Sequence, residues 1–133
     1  FDVVVTPNMF GDISTDLASV LQGGMGIAAS ANLGDKHGMF EPVHGSAPKY
    51  AGQDTTNPIA MISSVSMMFD WLGETKDDNA CRAIGDLIDQ AVAETLKGEI
   101  LTYDLGGSSG TSEVGNTIVS LLDQMLRKHF NIA

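Results

Sequence analysis

The sequence predicts an α/β fold. Three observations lead there: a β-branched opening run, long segments with helical apolar spacing, and glycine- or proline-marked breaks separating these from short extended stretches. Phe1 to Thr6, with Val3, Val4 and Val5 consecutive, reads as a buried strand of the parallel type. A domain seldom begins abruptly in such a strand, so the chain is expected to be the C-terminal piece of a longer polypeptide. A helix is predicted from Phe10 to Leu21 and is broken by the glycines at 23, 24 and 26. Ile27 to Asn32 and Gly38 to Phe40 read as short strands about a turn at Gly34, Asp35 and Lys36.

Asn57 as N-cap and Pro58 at the first helical position announce a helix to about Leu72. Ile59, Met61, Ile62, Val65, Met68, Phe69 and Leu72 surround it, with only serines between, which predicts a central, buried helix. Met61, Met67 and Met68 are expected as core filling, and Trp71 as packing under a neighbouring helix. Residues 77–97 read as an amphipathic helix with Ala80, Ile84, Leu87, Ile88 and Ala91 on one face. Lys97 and a left-handed Gly98 are expected to end it. Thr102 to Gly107 is expected to be extended and then turn. A last helix, Ser112 to His129, should bury Val114, Ile118, Leu121, Leu122 and Met125.

The 133 residues carry a formal charge of −10. Nucleic acid and anionic membranes need basic patches, so neither is an expected partner. No apolar run approaches the ~20 residues of a membrane span. The single Cys81 cannot form an internal disulfide and has no adjacent base to make it a nucleophile. His37 and His129 read as solvated. Cytoplasm is the default compartment, and the mitochondrial matrix is also compatible.

Two segments carry chemistry. In the first, Asn8 to Asp16 (NMFGDISTD), Asp12 and Asp16 stand four apart near the start of a helix, on one face. Two anions there suit a hard divalent cation with oxygen ligands. On spacing alone the plainer reading is favoured, with Asp12 complementing the helix dipole while Asp16 faces water. The second segment runs from Glu41 to Gly52 (EPVHGSAPKYAG) and is closed by Asn57 and Pro58. It supplies a ring and an amide for a base, and small residues and backbone N–H groups for phosphates. Read singly, His44 would be a surface or core histidine and Asn57 a helix start. There is no Gly-x-Gly-x-x-Gly fingerprint.

Together, in this order, the two segments resemble the β-decarboxylating dehydrogenases: the isopropylmalate, isocitrate, homoisocitrate and tartrate dehydrogenase family. The resemblance runs over essentially the whole chain and is closest to isopropylmalate dehydrogenases. It implies the C-terminal part of that two-domain fold. Residues 1–22 would end the smaller, dimer-forming domain, and 23–133 would belong to the larger nucleotide-binding domain. It also implies metal-dependent oxidative decarboxylation of a 2-hydroxy acid, 3-isopropylmalate first and isocitrate second, with hydride transfer to NAD or NADP. Asp12 and Asp16 become catalytic metal ligands for Mg²⁺ or Mn²⁺, completed by an aspartate of the partner subunit in a homodimer. The metal would stabilise the alkoxide and then the enolate. The family's substrate-gripping arginines and its acid/base Tyr and Lys lie upstream, so this chain alone is expected to be inactive.

By the same resemblance, Asn8 approaches the nicotinamide, Glu41 its ribose and His44 the adenine. Gly45, Ser46 and Ala47 line the pyrophosphate, Asn57 bonds the adenine edge, and Asp104 lies near it. Lys49, Tyr50 and Tyr103 match the NADP-dependent isocitrate enzymes, and the balance favours NADP. The chain departs from those enzymes at Gly107, where they place an arginine against the 2′-phosphate. A non-catalytic regulatory subunit is the rival reading. The intact Asp12, Asp16, Glu41 and His44 argue against it.

Overall fold

A computed structural model describes residues 1–132. Its α-helices are α1 (Asn8–Ser19), α2 (Ile59–Lys76), α3 (Asn79–Leu96) and α4 (Thr111–Phe130), and its strands are β1 (Ala29–Leu33) and β2 (Gly38–Pro42). The strands pair antiparallel as a hairpin, with Ala31 opposite Phe40, and the Gly34 N–H donates to the His37 carbonyl across the turn at 2.9 Å. The hairpin lies on α2, α2 packs on α3, and α3 on α4.

The opening valines do not form a strand. Residues 1–6 have no assigned element, and Val3, Val4 and Val5 are exposed. A β-branched run favours extended backbone, but a strand exists only through hydrogen bonds to a neighbour, and no described residue pairs with it. The α1 helix begins two residues earlier than its apolar spacing suggests. A 3₁₀ turn, Val20–Gln22, continues it to Gly23. Gly23 and Gly24 have φ near +111° and +108°, which only glycine adopts without strain, so the helical direction is lost there.

The N-cap of α2 is Pro58, one residue later than expected, and Asn57 stands just ahead of it, its Oδ1 accepting from the Ile59 N–H at 2.9 Å. The Ala60 N–H is satisfied by the Gly26 carbonyl at 3.0 Å, which ties the segment after α1 to the first turn of α2. The helix runs to Lys76, past Leu72, and ends on Asp77 in the left-handed conformation. It is not buried all round. Its buried positions are Ile59, Ala60, Ser64, Ser66 and Gly73, whereas Met61, Val65 and Met67 are exposed. The reason is a close approach to α3. The Ser66 Oγ donates to the Gly85 carbonyl at 3.0 Å, and any Cβ on Gly85 would run into the Asp70 carboxylate. Only small residues fit such a contact, and Met61 and Met67 are exposed instead of filling the core, while Met68 is half-buried. Trp71 packs on the hairpin, its ring centroid 6.0 Å from that of Phe40.

Asp78 caps α3, accepting from the N–H groups of Ala80 and Cys81, and these bonds hold its carboxyl below the usual range. The buried face of α3 is Gly85, Leu87, Ile88, Ala91, Val92 and Thr95, shifted from the expected set so that Ala80 is exposed. Gly98 does not adopt a positive φ. Helix α3 closes with ordinary turns through Lys97 and Gly98, and the Lys97 ammonium meets Glu94 at 2.6 Å. Ile59, Ala91, Val92, Val114 and Ile118 form the core, with Leu121, Leu122 and Met125 packed against it as the helical spacing predicts.

Among the described residues, Asp70 is the one carboxylate whose ionisation its surroundings oppose. Burial pushes its pKa up, and Asp89, Asp86 and Glu74 add like charge. A raised carboxyl pKa costs stability above the unfolded value, and that cost fades as pH falls through the folded value. Asp70→Asn in the complete polypeptide is therefore expected to raise the urea midpoint at pH 7 slightly, the effect being small because Asp70 is exposed and solvent screens it. The advantage should shrink as pH falls towards 3.8. An equal gain at both ends of that range would assign the effect to something other than charge.

Candidate functional site

One cleft of about 930 Å³ collects residues from four separated stretches, the first of them Met25 and Gly26. The 41–57 loop brings His44, Gly45, Ser46, Ala47, Tyr50 and Asn57. The turn after α3 brings Tyr103 and Asp104, and the start of α4 brings Thr111 and Ser112. The loop is shaped by backbone conformation. Ala47, without the freedom of glycine, sits at φ 43°, and Gly52 is at φ 75°. A left-handed alanine costs roughly 1–2 kcal/mol and persists only where its surroundings hold it. A 3₁₀ turn, Pro48–Tyr50, follows at once, closed by the Tyr50 N–H on the Ala47 carbonyl at 3.0 Å.

The cleft floor is a hydrogen-bonded chain. Thr102 Oγ1 donates to Asp104 Oδ1 at 2.5 Å, and Asn57 Nδ2 donates to Asp104 Oδ2 at 3.0 Å. With Oδ1 accepting from the Ile59 N–H, these bonds fix which way the Asn57 amide points and leave one Nδ2 hydrogen uncommitted. Gly26 closes the corner, where a Cβ would stand 2.7 Å from Asp104 Oδ2. At the rim the Lys49 ammonium lies 4.6 Å from the Tyr50 ring centroid. Its hydrogen bond to Tyr50 raises the lysine and lowers that phenol, while the bond between Tyr50 and Tyr103 raises the Tyr103 phenol. Lys49, Tyr50 and Tyr103 are thus one connected polar strip. His44 Nδ1 is 2.8 Å from the Gly45 carbonyl.

The other sequence-predicted residues lie apart from this cleft. Asn8, Asp12 and Asp16 follow one another at helical spacing on exposed turns of α1, with Asn8 Nδ2 3.4 Å from Asp12 Oδ2. Helix α1 makes extensive contact only with the 3₁₀ turn that follows it. Glu41 stands exposed on β2, opposite Ser30. No three His, Cys, Asp or Glu side chains converge among the described residues, so any metal at Asp12 and Asp16 draws further ligands from elsewhere.

The chain matches known proteins along most of its length. The family model described as isocitrate/isopropylmalate dehydrogenase matches residues 1–118. This chain belongs to that family. A homoisocitrate dehydrogenase of Methanocaldococcus jannaschii is 49% identical over 127 residues, which is 96% of this chain and 35% of the relative. An NADP isocitrate dehydrogenase of Archaeoglobus fulgidus is 45% identical over 86% of the chain and 26% of the relative. A β-decarboxylating dehydrogenase of Thermococcus kodakarensis, solved in its apo form, superposes with a TM-score of 0.76 at 42% identity, over 90% of this chain and 33% of that one. The chain therefore spans about a third of the length of its relatives.

Several cleft residues lie outside the sequence motifs. Met25, Gly26, Asp54, Thr56, Thr111 and Ser112 line the cleft as well. Ser112 reads in sequence only as the start of the last helix, and Asp54 and Thr111 belong to no motif. No helix among the described residues is long and apolar enough to cross a membrane. Cys81 is half-buried. Burial first, and then the Asp78 carboxylate, push its thiol pKa up, against a nucleophilic role.

Proposed function

We propose that the complete polypeptide is a metal-dependent, NAD(P)-linked dehydrogenase that oxidatively decarboxylates a 2-hydroxy acid. The substrate is 3-isopropylmalate in the first instance and isocitrate in the second, and the enzyme works as a cytoplasmic homodimer. The observation that carries this is the union of His44, Gly45–Ala47, Tyr50, Asn57, Tyr103 and Asp104 in one cleft. The cleft suits a dinucleotide: its volume lies within the ~300–1,000 Å³ of small-molecule sites. Nothing stands within 4 Å of where a Cβ on Gly45 or Gly52 would project, so the loop backbone is open to approach by phosphate.

The residues divide the work. Asn57 presents its free amide hydrogen to an acceptor on the adenine, backed by Asp104, and His44 packs on the ring. Gly45, Ser46 and Ala47 face the pyrophosphate. The Lys49, Tyr50 and Tyr103 strip supplies a cation and two phenols, a donor set suited to a 2′-phosphate, which favours NADP. Asp12 and Asp16 offer hard oxygen ligands for Mg²⁺ or Mn²⁺, with Asn8 and Glu41 toward the nicotinamide end. When bound, the metal supplies Lewis-acid stabilisation of the substrate oxygen and the nicotinamide accepts the hydride.

The test crosses isopropylmalate, isocitrate and tartrate with NAD⁺ and NADP⁺, with and without Mg²⁺, following nicotinamide reduction by the complete polypeptide. Metal-dependent turnover with isopropylmalate and NADP⁺ is the expected result. Nucleotide binding without turnover on any pair would sink the catalytic reading and leave a regulatory subunit.

A further inference from the structure

We infer that Asp54 is a positioning residue for the nucleotide cleft, clasping the N-terminus of α4 and so holding the 41–57 loop at its working distance from that helix. The inference rests on the reading of the cleft as a nucleotide site, and it concerns an exposed residue outside the motif positions. Helix α4 has no cap of its own, because its N-cap is Gly110, which has no side chain. Asp54, 58 positions before Ser112, caps the helix instead. Its Oδ1 accepts from the Ser112 N–H at 2.8 Å and from Ser112 Oγ at 2.7 Å. The neighbouring backbone joins in. The Thr111 N–H donates to the Asp54 carbonyl at 3.0 Å, and Thr111 Oγ1 to the Thr56 carbonyl at 2.5 Å.

These four bonds join the loop to α4 across the cleft wall, since Asp54, Thr56, Thr111 and Ser112 all line the cavity. Two further features show that the local chain is arranged around this contact. Asp54 is left-handed at φ 53°, a conformation uncommon for a residue with a side chain, and its carboxylate meets Ser112. Gly110 is required opposite, because a Cβ there would stand 2.5 Å from Asp54 Oδ2 and 2.9 Å from the Asp54 carbonyl oxygen. The bonds from Ser112 also hold the Asp54 carboxyl below its ordinary range, so it stays an anion at the positive end of the helix at neutral pH. Loop geometry at a binding site fixes affinity steeply, and a loop released from its anchor must be ordered again by the ligand.

The experiment measures NADP⁺ affinity by calorimetry in the complete polypeptide carrying Asp54→Ala, Asp54→Asn or Ser112→Ala, with the melting temperature and the KM for the 2-hydroxy acid recorded alongside. Asp54→Ala is expected to weaken NADP⁺ about tenfold, the loss of one capping contact. Asp54→Asn keeps an acceptor oxygen and should stay within about threefold of wild type. The KM for the acid at saturating NADP⁺ should not move. If Asp54→Ala does not fold, Ser112→Ala removes only the hydroxyl donor and should weaken NADP⁺ about threefold. Wild-type affinity in a folded Asp54→Ala overturns the proposal, as does wild-type affinity in Ser112→Ala where that variant stands in. A loss in Asp54→Asn as large as in Asp54→Ala also overturns the acceptor role. If the wild type binds neither NADP⁺ nor NAD⁺, the nucleotide reading of the cleft itself has failed.

Discussion

Asp12→Asn in the complete polypeptide is expected to lower metal-dependent turnover about a thousandfold while leaving NADP⁺ affinity within about twofold. The two halves of this expectation come from separate parts of the molecule. The carboxylate pair of Asp12 and Asp16 is exposed on α1, whereas the cleft is built by the 41–57 loop, the turn after α3 and α4. Removing one of two like charges four apart also relieves a repulsion of roughly 0.2–0.5 kcal/mol, so stability should hold or rise slightly. That sign matters. If Asp12 only supported the helix, the amide variant would be active and less stable; if it holds a cation, the variant is folded and inactive. Titrating Mn²⁺ by its paramagnetic signal gives a readout independent of turnover, and wild-type Mn²⁺ binding by Asp12→Asn would remove the metal assignment.

Gly107→Arg is expected to destabilise the protein by about 3 kcal/mol and to give no gain in NADP⁺ preference. By family resemblance the opposite would be anticipated, since NADP-dependent isocitrate enzymes place an arginine at this point. The backbone here forbids it. A Cβ on Gly107 would run into the Leu101 carbonyl oxygen, with Leu101 C 2.5 Å and Leu101 Cβ 2.7 Å away. These are mostly main-chain atoms and cannot step aside. The turn is held in place by the Gly107 N–H on the Thr102 carbonyl at 3.0 Å and the Ser109 N–H on the Leu101 carbonyl at 2.9 Å, around a fully buried Thr102. Gly107→Ala, which adds only the Cβ, should therefore show most of the same loss in a denaturant unfolding curve. A stable arginine variant with tighter NADP⁺ binding would show that this turn can rearrange. Under the proposed function, any 2′-phosphate recognition in this chain rests on Lys49, Tyr50 and Tyr103.

The helices were legible because their causes are local. Apolar spacing marked α3 and α4, and Asn57 with Pro58 marked the start of α2 to within a residue. The hairpin was legible from its glycine-marked turn. What could not be read was anything decided across the chain. Val3 to Val5 have strand chemistry, yet a strand is a property of two segments and no described residue pairs with this one. The serines of α2 looked like interruptions in an apolar surface. Two of them, Ser64 and Ser66, are buried, and Ser66 meets Gly85 of α3 where the two backbones close. The loop side of the cleft was legible in the contiguous run from Glu41 to Gly52. Its other wall was not, because the importance of Asp54 and Ser112 exists only once 58 positions of chain have folded back.

The contact between α2 and α3 has a consequence for motion. Helices usually slide past one another by small rotamer changes in the long side chains between them, which lets a domain shear by an ångström or two. Where Ser66 meets Gly85 the backbones are separated by a hydroxyl and a hydrogen bond of 3.0 Å, and the Asp70 carboxylate fills the space a Cβ would take. With so little there to re-pack, a slide of α2 along α3 is expected to break that bond instead of being absorbed by rotamer changes. The start of α2, with Asn57 just ahead of it, is then expected to hold its place relative to α3 when the segments that rim the cleft shift.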